Sequence, residues 1–141
     1  MFYNNREITE IQRKQIMTSS AFLMAVHGIV FLFVPEFLLR AFDLNFSPDA
    51  LIGIQFFGAA LIGFGNMNWV GRNSVLGGIY GRAIVTGNCT YNIIGFLTSL
   101  RTRLNDFGNS YFWIEVFLYF IFAIAFAMML FGSPDKGKST N

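Results

Sequence analysis

Four long stretches of this 141-residue chain are almost free of charged side chains, and no other feature constrains the fold as much. Each approaches or exceeds the roughly 20 residues that an α-helix needs to cross a ~30 Å hydrocarbon core. A soluble domain of this size could not hide so much apolar surface, since 54% of the residues are hydrophobic and only 13% are charged. The sequence therefore predicts one all-α domain over 1–141, an integral membrane four-helix bundle. The predicted spans are 16–34, 50–70, 76–100 and 111–131.

A short amphipathic helix is predicted between the first and second spans, after Pro35. Over 36–44, charged and apolar side chains separate onto two faces at helical spacing, which is typical of a helix lying in the membrane interface. The charged face holds Glu36, Arg40 and Asp43, and the apolar face holds Phe37, Leu38, Ala41 and Leu44. Ser47 is then predicted as the capping residue of the second span, with Pro48 at its first helical position.

The distribution of Lys and Arg predicts the orientation, because these residues concentrate in cytoplasmic loops. The leader, the turn after the second span and the tail together hold more of them than the two opposite loops, although Arg101 and Arg103 lie on the opposite side. Both termini are therefore expected on the cytoplasmic side of a bacterial inner membrane, or on the matrix side of a mitochondrial inner membrane.

Small and polar residues form a stripe along one face of the second span and another along the third, when each is drawn as a helix at about 100° per residue. The turn between these spans is so short that they must be antiparallel neighbours, and we expect the two stripes to face each other. The stripe on the third span includes Gly77, Gly81, Asn88, Asn92 and Gly95. The stripe on the second span includes Gln55, Ala59, Gly63 and Asn66.

Two interpretations of these stripes remain open. Helices in a bilayer associate through close backbone contact and interhelical hydrogen bonds, so glycine and asparagine can serve packing alone. Alternatively, Gln55, Asn66, Asn88 and Asn92 line a polar cavity for a small solute, as polar residues inside membranes often do.

His27 lies inside the first span and is the only histidine. It could be a neutral histidine bound to an amide such as Asn88, a haem axial ligand or a proton carrier. A haem held by two histidines is excluded within one chain, and His27 with Cys89 would supply too few ligands for zinc. We therefore expect no metal and no cofactor, with haem binding at His27 kept as the less favoured alternative.

Arg72 and Arg82 are predicted to lie at the inner interface, where a basic pocket could bind the head group of an anionic phospholipid. Arg82 could also extend its side chain to the interface without forming a specific site. Glu115 begins the fourth span near the opposite interface. It is expected to be hydrated, or to pair with Arg101 or Arg103 across the loop.

The part of the chain from Gln55 to Phe96, about a third of it, carries a set of local motifs. They are Asn68-Trp69, Arg72, Gly77-Gly78-Ile79-Tyr80-Gly81-Arg82 and Gly87-Asn88. In these motifs the chain resembles a family of small four-span bacterial membrane proteins. The resemblance implies a four-helix fold in which the Gly-Gly-Ile-Tyr-Gly-Arg run recurs at the start of the third helix. No activity is attached to that family, so no functional residue is implied.

Three functions remain open, and none is enzymatic, because no nucleophile, base and orienting acid can be assembled from the sequence. The first is an accessory or structural subunit of a larger complex in an energy-transducing inner membrane, with lipids and other membrane subunits as partners and no nucleic acid. The second is a small oligomeric transporter or channel for a polar solute. The third is a haem or quinone protein that uses His27.

Overall fold

The computed structural model describes residues 4–41, 47–73, 79–105 and 110–131, and within these ranges the chain is helical with no strands. The prediction of an all-α fold is confirmed. Five helices follow one another along the described chain: α1 (Asn4–Phe33), α2 (Pro35–Ala41), α3 (Pro48–Gly71), α4 (Ile79–Leu104) and α5 (Phe112–Phe131).

Three helices are long and apolar enough to cross a membrane, within 10–33 of α1, 49–71 of α3 and 112–131 of α5. They correspond to the first, second and fourth predicted spans. The third predicted span corresponds to α4, which is of sufficient length but does not reach the same apolar composition. Arg82 and the asparagines of α4 lower its hydropathy.

The helix bounds differ from the predicted ones where the chain is polar. Helix α1 begins at Asn4 rather than near 16, because the leader is rich in Glu, Gln, Arg and Lys, which favour helix in water. The short helix predicted after Pro35 is present as α2, and the rest of its predicted range lies outside the described residues. At the start of α3, Ser47 has an extended backbone and precedes Pro48, but its side chain makes no capping hydrogen bond.

Helices α1 and α3 pack as an antiparallel pair through glycines. A Cβ atom at Gly28 would lie 2.6 Å from the carbonyl oxygen of Gly58, and one at Gly58 would lie 2.8 Å from the carbonyl oxygen of Gly28. A Cβ atom at Gly65 would lie 2.9 Å from the carbonyl oxygen of Ala21. These distances are too short for any larger residue, so the two backbones approach as closely as helices can.

Helices α4 and α5 form the second antiparallel pair. The ring of Tyr119 lies so close to Gly95 that a Cβ atom there would be 2.5 Å from it. Nearer the start of α4, Val85 and Cys89 pack with Phe126 and Met129 of α5, and Met17 of α1 completes this buried cluster. The two helix pairs therefore share a core at the end of the bundle where α1 enters.

Fewer contacts join the two pairs than hold each pair together. The predicted antiparallel arrangement of the second and third spans is confirmed, since Phe64 of α3 stacks on Tyr91 of α4 at 5.9 Å between ring centroids, and Asn68 contacts Asn88. Helices α1 and α5 also meet. The space between the two pairs is where most of the buried polar side chains lie.

Glycine substitutions should show which glycines are needed for the close contact of α1 with α3 and which are simply small residues in open positions. We expect Gly28→Ala and Gly58→Ala to destabilise the fold by about 1–3 kcal/mol, because the added methyl group meets backbone atoms that cannot move independently. Gly63→Ala is the matched control in the same helix as Gly58, since a Cβ atom there meets nothing within 4 Å. SDS-induced unfolding followed by circular dichroism measures the difference. Equal stabilities of Gly58→Ala and Gly63→Ala would contradict the close approach of α1 and α3.

Candidate functional site

His27 and Glu115 contact each other between α1 and α5. The Nε2 atom of His27 lies 3.2 Å from Oε1 of Glu115, and its Nδ1 atom lies 2.8 Å from the carbonyl oxygen of Leu23. His27 belongs to the apolar segment 10–33 and Glu115 to the apolar segment 112–131. Ionisable groups in such segments are costly unless paired, and each of these two supplies the partner that the other needs.

A hydrogen bond between His27 and Glu115 requires one shared proton. Because a carbonyl oxygen only accepts hydrogen bonds, Nδ1 of His27 carries a proton and donates it to Leu23. A hydrogen bond between Nε2 and a carboxyl oxygen then requires one further proton, carried either by the imidazole or by Glu115. The pair is neutral overall in both arrangements. The proton can therefore move between the two groups without leaving a net charge among apolar side chains.

The pair lines a cavity of about 50 Å³ between the two helix pairs. Since a water molecule needs at least roughly 10–15 Å³ of such space, the cavity has room for about three or four waters. Most of the cavity surface is apolar, and polar groups that could hold water lie among apolar side chains. The apolar side chains belong to Leu23, Met24, Phe31, Leu61, Leu118 and Phe122. The polar groups of this polar cavity belong to Ser20, His27, Tyr91, Asn92, Glu115 and Tyr119.

Two tyrosines form one wall of the polar cavity. The hydroxyl oxygens of Tyr91 and Tyr119 are 3.0 Å apart, so one hydroxyl donates to the other. Gly95 lets the ring of Tyr119 lie against α4, and Phe64 of α3 stacks on Tyr91. Tyr119 follows Glu115 by one helical turn, which places both side chains on the same face of α5.

Asn68 and Asn88 form a reciprocal amide pair beside the cavity. Nδ2 of Asn68 donates to Oδ1 of Asn88 at 2.8 Å, and Nδ2 of Asn88 donates to Oδ1 of Asn68 at 2.6 Å. Both side chains are fully buried. Ser20 accepts a second hydrogen bond from Asn68 at 3.0 Å, and Asn92 donates to the backbone oxygen of Asn88. This amide pair joins α3 to α4 and links both to α1.

The predicted stripes on the second and third spans do not face each other. On α4, Gly81, Asn88 and Asn92 are buried, and Gly95 lies against Tyr119 as described above, while Gly77 lies outside the described residues. On α3, by contrast, Gln55, Gly63 and Asn66 are exposed, and only Gln55 makes an interhelical hydrogen bond, a long one of 3.4 Å to the carbonyl oxygen of Leu32. The buried face of α3 carries Gly58, Leu61, Gly65 and Asn68 instead.

The ionisable residues also find partners other than the expected ones. His27 contacts Glu115 rather than Asn88, and the partner of the partly exposed Glu115 is His27 rather than Arg101 or Arg103. Arg103 lies over the ring of Trp113. Sequence reasoning also missed Asn68, Tyr91 and Tyr119. A usable signal existed for Glu115, because it is the only acid in its span and a lone base lies in another.

Arg72 and Arg82 do not form one site. Arg72 lies over the ring of Trp69, 3.7 Å from its centroid, and donates a hydrogen bond to the backbone oxygen of the same residue. It lines a second, smaller pocket together with Arg13 of α1. Arg82 is exposed and is not among the residues that line this pocket.

No group of three or more His, Cys, Asp or Glu side chains suited to a metal ion exists in the part of the chain that the structure describes. No family model, curated protein or solved structure matches this chain. The resemblance to small four-span bacterial membrane proteins therefore stays a prediction.

The amide pair should show energetic coupling. We expect Asn68→Leu and Asn88→Leu each to destabilise the fold by about 1–2 kcal/mol, because each leaves a buried amide without its partner. The double variant should cost less than the sum of the two, since both amides are then absent. Asn66→Leu is the control, as that side chain is exposed. Additive costs in a double-mutant cycle of SDS unfolding would contradict the pairing.

Proposed function

We propose that this protein is a small membrane transporter in which the His27–Glu115 pair binds and releases a proton. One observation carries the proposal: an acid and a base on two apolar helices lie within hydrogen-bonding distance of each other and line the same cavity. Such intramembrane groups mark ion pathways and proton relays. The tyrosine hydroxyls and the space for water offer the hydrogen bonds through which a proton reaches or leaves the pair.

The proposal includes a four-span topology, with α1, α3, α4 and α5 crossing the membrane and α2 lying in the interface. The buried positions of Asn88, Asn92 and Ser99 support a span for α4, because they remove these polar groups from the lipid side. Four crossings place both termini on one side. The Lys and Arg distribution favours the cytoplasmic side of a bacterial inner membrane or the matrix side of a mitochondrial one.

The polar path does not run through the whole bundle in this conformation. Met17, Val85, Cys89, Phe126 and Met129 form a buried apolar cluster between the polar cavity and the end where α1 enters. A transporter needs such a barrier, because an open polar path would let protons leak. The apolar cluster closes the path at one end of the cavity, and a movement of one helix pair against the other would open this barrier.

Haem or quinone binding at His27 is less well supported. Both ring nitrogens of His27 are already engaged, so an iron ion would have to displace either Leu23 or Glu115. The cavity is also small, since a cavity that binds benzene has about 150 Å³ in comparable terms, against about 50 Å³ here. The same limit leaves little room for the substrate of an enzyme.

Proton transfer should depend on the acid of the pair. We expect Glu115→Gln to abolish proton uptake into liposomes that contain the purified protein, because the amide keeps the shape of the side chain but cannot release a proton. Uptake is measured with an enclosed pH-sensitive dye under a potassium diffusion potential. Glu36→Gln is the control, since Glu36 is exposed on α2. Wild-type uptake no faster than in protein-free liposomes, or undiminished uptake by Glu115→Gln, would overturn the proposal.

A second candidate is the accessory or structural subunit of a larger inner-membrane complex. The sequence favours this role because it contains no recognisable catalytic residues. The His27–Glu115 pair is a site where chemistry could occur, so it makes that argument weaker. The outward face of α3 favours it independently. Asn66 is exposed there within an apolar segment, beside Gly63, at which a Cβ atom would meet nothing. An amide beside a small residue is what a partner helix would contact in a bilayer.

Native electrophoresis after extraction in a mild detergent tests the subunit candidate. A stoichiometric high-mass band should form with wild-type protein and weaken with Gly63→Leu, because the larger side chain would hold a partner helix away. Gly87→Leu is the control, as Gly87 also has open space around it but lies on α4. Migration of the wild-type protein alone or as a small homo-oligomer would exclude this candidate.

A further inference from the structure

A small pocket lies near the end of the bundle where α1 enters, away from the polar cavity. Arg13 of α1 and Arg72, which follows α3, both line it. The wall between them consists of small and apolar residues, Met17, Gly71, Gly81, Ile84 and Met129. A Cβ atom at Gly71 would lie 3.0 Å from the Cδ1 atom of Ile84, so the absence of a side chain there helps to keep the pocket open. We call this feature the arginine pocket.

Two arginines line the arginine pocket, and none of the described residues that line it is acidic. Neither Arg13 nor Arg72 has a carboxylate within 4.0 Å among the side chains that the structure describes. The guanidinium group of Arg72 is held in place by stacking on Trp69 and by its hydrogen bond to the Trp69 backbone. A fixed guanidinium group retains N–H groups that can donate to an anion, and a second arginine that lines the same pocket adds to its positive charge.

We infer that Arg13 and Arg72 bind a phosphate group at the arginine pocket. Guanidinium groups recognise phosphate through paired, charge-assisted hydrogen bonds. The pocket has a volume of about 20 Å³, which is room for roughly one water-sized group. One phosphate oxygen can therefore enter it, while the rest of the phosphate group lies at its mouth.

The surroundings favour a phospholipid head group as the source of the phosphate. Arg13 lies near the start of the apolar segment 10–33, and Arg72 follows directly after the apolar segment 49–71. Both arginines thus lie where apolar segments end, which is the depth of lipid head groups. Val70 and Ile79 on the flanking helices are 76% and 85% exposed, and they offer an apolar surface for acyl chains. This inference does not depend on proton transfer at His27 and Glu115.

Lipid binding by arginine variants tests the inference. Native mass spectrometry of the delipidated protein with added phosphatidylglycerol should show saturable binding by the wild type. Arg13→Gln and Arg72→Gln should each weaken it about tenfold or more, as expected for a lost charge-assisted hydrogen bond. Arg82→Gln is the matched control, because it removes the same charge from an exposed position of α4. Thermal unfolding of each variant in lipid-free detergent checks that the fold is retained.

A second experiment identifies the source of the phosphate. It compares the thermal stabilisation of the protein by phosphatidylglycerol with that by inorganic phosphate. Stabilisation of the wild type by phosphatidylglycerol but not by millimolar inorganic phosphate identifies a lipid site. Stabilisation by inorganic phosphate that disappears in Arg72→Gln supports the phosphate site with a soluble ligand. Equal lipid binding by Arg13→Gln, Arg72→Gln and the wild type, without an effect of inorganic phosphate, would overturn the inference. An equal loss in Arg82→Gln would also overturn it, by showing that only net charge matters.

Discussion

The contact between His27 and Glu115 joins the two halves of this bundle. Helices α1 and α3 are held together by close contact of glycine backbones, and α4 and α5 by packing of Tyr119 against Gly95 and by the apolar cluster. Between the pairs, the cavity removes packing contacts that would otherwise hold them. The His27–Glu115 contact and the Asn68–Asn88 amide pair bridge this space, and Met17 of α1 adds an apolar contact with the other pair at the end where α1 enters.

This arrangement is what we expect of apolar helices surrounded by lipid. Lipid tails are as apolar as the side chains that contact them, so hydrophobic burial gives little preference for one helix neighbour over another. Shape and hydrogen bonds must supply the preference. Close glycine contact is rigid, because small shifts create overlap, whereas a proton shared between two groups can be rearranged. The bundle therefore combines two stiff pairs with an adjustable connection between them.

The sequence predicted where the helices lie along the chain better than which face of each helix is buried. Long apolar stretches set the approximate positions of α3 and α5, because length and hydropathy are local properties. Which face of α3 is buried depends on its neighbours. Ala59 and Gly63 are small residues on one face of the helix, as Gly58 and Gly65 are on another, and small size alone could not show that α1 covers the latter. The His27–Glu115 pair was within reach of sequence reasoning, since two lone ionisable groups in separate apolar spans each require a partner.

The His27–Glu115 pair lies on the same helix boundary, between α1 and α5, as the apolar cluster that closes one end of the cavity. The proton shared by His27 and Glu115 keeps the connection between α1 and α5 neutral, and its loss would leave a carboxylate beside a neutral imidazole whose lone pair repels it. That repulsion acts across the boundary between the helix pairs. The same boundary runs through the apolar cluster, where Met17 of α1 packs on Phe126 and Met129 of α5. In the proposed transporter, release of the proton would therefore weaken one of the two contacts that hold α1 against α5, and the apolar cluster would remain as the other.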